Sequence, residues 1–144
     1  MTESQPSVRL VKDVPAAPRR VFEAWLDPAA LQRFMCPVEG ASVPKAESDA
    51  RVGGKFLIVM RVGGKDLPHH GEYLEIVPHE RLVFSWLSHR AGEGSRVALS
   101  FAPLANGHTR LTLEHRGLDA SECDAHEKGW SSILSQLALD AATG

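Results

Sequence analysis

Residues Cys123–Ala141, CDAHEKGWSSILSQLALDA, decide the fold. Apolar or weakly polar side chains recur at Cys123, His126, Trp130, Ile133, Leu134, Leu137 and Ala141, the spacing of one continuous helix face. In the middle of that helix Gly129 stands beside Trp130. A glycine costs roughly 1 kcal/mol against alanine in a helix interior. Burying an indole, at ~150–250 Å² and ~25 cal/mol/Å², contributes up to about 4–6 kcal/mol. The tryptophan therefore dominates, and the stretch is predicted to dock as an amphipathic helix, N-capped by Ser121 with Asp124 completing a weak capping box. The missing side chain at Gly129 is expected to let a strand, loop or ligand come close.

Working outward from this helix, the preceding chain reads as strands. SVRLVKDV (7–14) alternates Val8, Leu10 and Lys12 against Arg9, Val11 and Asp13, a first strand. Pro18 suits a first helical turn, with Val21, Phe22, Trp25 and Leu26 as its stripe. Asp27-Pro28 then supplies an N-cap and a second first-turn proline, which predicts a second short helix through Leu31, Phe34 and Met35. Residues 36–50 read as a loop leading into a ragged strand. KFLIVMRV (55–62), GEYLEIV (71–77), RLVFSWL (81–87), SRVALSFAPL (95–104) and TRLTLEH (109–115) read as further strands, with Gly63-Gly64 as a two-residue hairpin turn. Val97, Leu99 and Phe101, then Leu111, Leu113 and His115, share an apolar face, so one side of an antiparallel meander is covered and the other wet. A strongly bent sheet around one helix cannot close tightly along its whole length, which predicts a pocket between them.

Length and composition bound the function. The 144 residues are expected to form one domain, with a core over about 8–141 and short flexible ends. Hydrophobic content of 43% and charged content of 24% are those of a globular protein. Sixteen basic and 18 acidic side chains are scattered without a run, so nucleic acid is not an expected partner. No stretch reaches the roughly 18 apolar residues of a membrane span, and MTESQPSVRLVKD lacks a signal-peptide core, which predicts a cytoplasmic protein. Two cysteines, Cys36 and Cys123, fit a reducing compartment. A two-fold homodimer is the ordinary expectation for a domain of this size.

Five stretches carry a family resemblance: VPAAPRRVFEAWLDPAALQRF, RVGGKF, HGEYLEIVPHERLVFSW, TRLTLEHRGL and GWSSILSQL. Their order and spacing resemble the activator-of-heat-shock-protein-90-ATPase homologue family of the START-related helix-grip (SRPBCC) superfamily, from about Arg9 to Leu139. The resemblance implies an α+β helix-grip fold: a strand, two short helices, a six-stranded meander and a long C-terminal helix gripped by a curved antiparallel sheet. Phe34 departs from the tryptophan common in the family after the second short helix. Superfamily members bind lipids, sterols, polyketides and other apolar molecules, and some catalyse cyclisation or hydrolysis. A eukaryotic relative carries this domain within a co-chaperone, together with an N-terminal domain not contained in these 144 residues.

Three functions follow as expectations. In the first, the protein binds an apolar or amphipathic, lipid-like small molecule without a cofactor. Its pocket is lined by Phe34, Phe56, Ile58, Tyr73, Trp86, Leu99, Phe101, Leu113, His115, Trp130 and Leu134. The second is a protein-interaction module with a chaperone partner and a role in stress response, which needs an exposed apolar patch. The third is an enzyme using His115 with Tyr73 or Glu72 as acid–base groups. The seven histidines lack metal-ligand spacing, and His69-His70, His79, His89 and His108 are placed in or beside turns, so no metal is expected. His115 and His126 are expected to meet across the loop joining the last strand to the helix. Cys123 could pair with His126 near the helix N-terminus, or serve as a small apolar residue while His115 hydrogen-bonds at the pocket end. Gly53-Gly54 and Gly63-Gly64 read as bulge and turn, not as a phosphate loop.

Overall fold

The computed structural model describes residues 7–143; of the flexible ends expected outside about 8–141, residues 1–6 and 144 lie outside the described residues. Strand β1 (Ser7–Val14) is followed by α1 (Pro18–Ala24) and α2 (Pro28–Phe34). The meander is β2 (Ser42–Ser48), β3 (Lys55–Val62), β4 (Lys65–Val77), β5 (Arg81–Ser85), β6 (Arg96–Pro103) and β7 (Thr109–Arg116), and α3 (Cys123–Thr143) closes the fold. All seven strands form one antiparallel sheet in the order β1-β7-β6-β5-β4-β3-β2. The long return from β1 to β7 is made by pairing first strand with last, Val8 opposite His115 and Leu10 opposite Leu113.

Local chemistry explains the breaks. The Asp27 carboxylate accepts from the Ala29 N–H and Pro28 opens α2, so the first helical segment stops and restarts as the sequence requires. Gly63 and Gly64 have φ of 57° and 79°, the two left-handed positions of a tight hairpin turn between β3 and β4. Gly71 lies where β4 leaves β3 for β5; a Cβ there would collide with the Ser85 carbonyl oxygen and the Phe56 ring, so only glycine permits the crossing.

Two readings are corrected. Strand β4 starts at Lys65, six residues before the expected Gly71, so His69 and His70 lie in a strand and not in a turn. Pro68 is tolerated there because regular pairing of β4 with β5 starts only at Tyr73, so Pro68 has a single strand neighbour, Val59 of β3, and needs no donor on its other side. At the start of α3, Ser121 sits inside a short 3-10 turn, Ala120–Glu122, and does not cap the helix; the Glu122 N–H bonds the Asp119 carbonyl.

The covered sheet face, α1, α2 and α3 enclose one core. Trp130, Ile133, Leu134 and Leu137 face inward from α3, and Val97, Leu99, Phe101, Leu111 and Leu113 meet them from β6 and β7. Seven strands at about 4.8 Å spacing span nearly 30 Å, whereas a helix with its side chains is roughly 10–12 Å wide. One helix cannot cover such a sheet. Helix α3 packs beside β1 and against α2, and α2 in turn covers β2.

Candidate functional site

Aromatic rings fill the middle of the fold in a continuous ladder. Trp25 packs on Phe34 (5.1 Å between centroids) and Trp130 (6.3 Å); Trp130 packs on Trp86 (4.8 Å), and Trp86 stacks on Phe56 (6.0 Å). Such pairs add a few tenths to about 1.5 kcal/mol each beyond burial. They also occupy the space where the sequence suggested a hollow. What remains inside is a void of about 10 Å³, room for one water at most, bordered by Trp25, Phe56, Ile58, Tyr73 and Trp86 among others. The Trp25 indole N–H is buried without a hydrogen-bond partner among the described residues.

The sizeable apolar opening lies farther out, at the end of the grip. A cleft of about 390 Å³ opens between the first half of α3 and the β3–β4 hairpin. Trp86 and Trp130 border it together with Ile133 of α3. Met60 and Val62 from β3, Leu67 and His69 from β4, and Pro37 and Val38 after α2 make its walls. His89 and Arg90 from the β5–β6 loop and Ala125, His126, Lys128 and Gly129 from α3 complete it. A Cβ added at Gly129 would meet only the Pro37 Cβ, at 3.5 Å. The approaching group is thus a loop side chain at ordinary contact distance, and the glycine leaves room on the cleft side of the helix.

Of the eleven residues selected from the sequence, Trp86 and Trp130 border this cleft, and Phe56, Ile58, Tyr73 and Trp86 surround the inner void. Phe34, Leu99, Phe101, Leu113, His115 and Leu134 are packed into the core. Pro37, Val38, His69, His89, Arg90 and Lys128 were not selected, because their meeting depends on the hairpin and the β5–β6 loop converging on α3.

His115 is fully buried and both its nitrogens are engaged. The Trp130 indole N–H donates to His115 Nδ1 at 2.9 Å. An indole nitrogen can only donate, so Nδ1 holds the lone pair, and Nε2 carries the proton toward Ser95 Oγ at 2.7 Å. In a catalytic serine–histidine pair the imidazole nitrogen facing the hydroxyl must accept its proton. Here it donates, and no carboxylate orients the ring. Burial first, with the neighbouring His126 adding to it, pulls the pKa of His115 down to about 3, so the ring is neutral. Tyr73 and Glu72 lie on β4, three strands from His115 on β7; the Tyr73 hydroxyl is paired with Ser48 Oγ at 2.7 Å. The acid–base pairing considered from sequence is therefore not assembled.

His115 and His126 do meet, edge to face at 5.1 Å. His126 Nδ1 bonds the Glu122 carbonyl, while the Cys123 thiol points at the Asp119 carbonyl, so no thiol–imidazole pair forms. His69 lies over Trp86 at 5.1 Å and donates Nδ1–H to the Leu67 carbonyl. Burial holds its pKa at about 4, with His89 and His126 pushing the same way. No cluster of three or more metal-binding side chains occurs among the described residues, and none of their helices is long and apolar enough to cross a membrane.

A curved antiparallel sheet holding a long C-terminal helix, with an apolar cleft at the open end of the grip, defines a helix-grip domain. The comparisons place it more narrowly. Residues 15–139 match the family described as Activator of Hsp90 ATPase homolog 1-like protein, and the chain belongs to that family. The human Activator of 90 kDa heat shock protein ATPase homolog 1 is 33% identical over 87 residues, 59% of this chain and 24% of that protein. The chain thus matches about a quarter of that relative's length. Protein CV1439 from Chromobacterium violaceum superimposes with a TM-score of 0.85 at 33% identity, covering 94% of this chain and 97% of the other. The AHSA1 (SPO3351) protein from Silicibacter pomeroyi gives 0.81 at 32% identity, covering 95% and 98%.

Proposed function

We propose that this protein binds a small apolar or amphipathic molecule in the cleft between α3 and the β3–β4 hairpin, acting as a cytoplasmic carrier or sensor. The observation that carries the reading is the cleft itself: about 390 Å³, within the range of small-molecule sites, walled by apolar side chains from four separate parts of the chain. The ligand's apolar part would lie against Trp86 and Trp130. His115 would hold Trp130 in place through its hydrogen bond and take no chemical part. Native mass spectrometry of the purified protein, compared with its denatured mass, tests this. A released small molecule whose re-addition shifts NMR signals of Trp86, Trp130 and Gly129 supports the reading. A molecule that shifts only residues elsewhere, or no binding across an apolar compound library, refutes it.

A second reading rests on the family relationship: a co-chaperone-like module that engages an Hsp90-type chaperone. Its support is the human relative, whose name describes activation of the 90 kDa heat shock protein ATPase. The test is the ATPase rate of a chaperone of that class with and without this protein. An unchanged rate, with no complex in sedimentation, would set this reading aside.

A further inference from the structure

The cleft mouth has a charge character opposite to that of the whole chain. The protein carries 18 acidic and 16 basic side chains, a net charge of −2. Yet the two charged side chains that border the cleft, Arg90 and Lys128, are both basic and no aspartate or glutamate borders it; of the three histidines also there, burial keeps His69 neutral. An acid beside this rim, Glu122, has its Oε1 3.3 Å from Arg90 and 3.9 Å from His126 Nδ1. Among the described residues Lys128 and His89 make no ion pair, and both side chains are exposed at the mouth. Behind this rim the surface is apolar, down to Trp86 and Ile133.

Resting on the reading of the cleft as a binding site, we propose that its ligand is a single-chain amphipathic anion. The chain lies between α3 and the hairpin, and the head group, a carboxylate or similar oxyanion, sits at the mouth between Arg90 and Lys128. An anion there gains charge-assisted hydrogen bonds from Arg90 and Lys128. A cationic head would instead be repelled by both side chains. A neutral head of the same chain length forgoes these bonds while keeping the apolar contact.

Three probes sharing one ten-carbon chain separate head from tail: decanoate, decanol and decyltrimethylammonium, each below its micellar concentration at pH 7.5 and low salt. Binding is followed by calorimetry and by NMR shifts of residues bordering the cleft. Decanoate is expected to bind at least about tenfold more tightly than decanol, the increment of one charge-assisted hydrogen bond, and the cation most weakly. Lys128→Gln, which disturbs no ion pair, is expected to lose a few-fold in decanoate affinity, and the Arg90→Gln/Lys128→Gln double variant about tenfold, with decanol unchanged in both. Equal affinity for decanoate and decanol, tighter binding of the cation, or indifference of decanoate to both variants would overturn the anion inference while leaving an apolar cleft site standing. If none of the three probes binds or shifts the cleft residues, the site reading falls and the anion inference falls with it.

Discussion

The two halves of α3 face different surroundings. From Leu134 to Ala141 the inward side chains are core: Leu134, Leu137 and Ala141 are buried, and the opening that Leu137, Asp140 and Ala141 edge against α1 and α2 is lined by Arg20, Glu23, Asp27 and Arg33 as well as apolar groups. From Cys123 to Gly129 its inward side is only half-buried and borders the cleft. Trp130 stands at the junction, its ring in the ladder and its N–H locked on His115. The difference follows from geometry. The helix runs beside β1, while the β3–β4 hairpin lies at the other side of a sheet much wider than a helix. One helix thus supplies most of its core contacts with one half and borders the apolar cleft with the other.

Acid provides the most forceful way to break the core half. His115 is held near pKa 3 in the folded protein and His69 near 4, against 6.5 when unfolded, so the unfolded chain binds more protons below pH 6.5. The stabilisation is whole above about pH 6.5 and is lost as pH falls toward the folded values, by up to about 1.4 kcal/mol per pH unit for each ring. Urea midpoints taken between pH 7 and 5 are expected to fall steadily. Asp13 and Asp66, whose carboxyls are lowered chiefly by hydrogen bonds from Arg110 and Arg61, add to the loss only at lower pH. A flat profile over that range would mean that neither ring is kept neutral by burial.

Leu137→Ala should cost about 2–5 kcal/mol in urea unfolding, since the side chain is 1% exposed, and should leave decanoate affinity of the folded protein unchanged. Coupled loss of binding would show that the two halves are not separable. Next come two tryptophans that differ in satisfaction. Trp130→Phe strands His115 Nδ1, a cost of about 1–3 kcal/mol, whereas Trp25→Phe removes a donor that already has no partner. Trp130→Phe should therefore be the more destabilising, and equal losses would show that Trp25 has a partner after all. The smallest change is Gly129→Ala, expected to raise stability by up to about 1 kcal/mol because the added methyl meets only Pro37 at contact distance. Destabilisation in that variant would mean the gap between α3 and the loop is tighter than 3.5 Å implies.

Elements governed by local signals were legible. The period of Cys123–Ala141, the Asp27-Pro28 restart and the Gly63-Gly64 turn each depend on residues within a few positions, and each is found. Inward positions such as Trp86 and Trp130 followed from alternation and helix phase. What stayed hidden depends on distant register. The early start of β4 lies in KDLPHH, 65–70, which carries no clean alternation of apolar and polar residues and is a strand because it pairs with β3. Ser95 read only as the first residue of a strand, and its role comes from β6 lying beside β7, which brings it under His115. The cleft moved outward because ring packing among Trp25, Phe56, Trp86 and Trp130 consumes the interior, a volume effect that no pattern of polarity encodes.

The tryptophan ladder has an optical consequence. The chain has three tryptophans, and the centroid distances of 6.3 and 4.8 Å put all of them in one column. Excitation energy will pass among rings this close, so the protein emits as a single coupled chromophore. Two of its members border the cleft, and the third carries the unpartnered N–H. A ligand settling against Trp86 changes the environment of the whole column, so emission wavelength and near-ultraviolet circular dichroism report occupancy with no label attached.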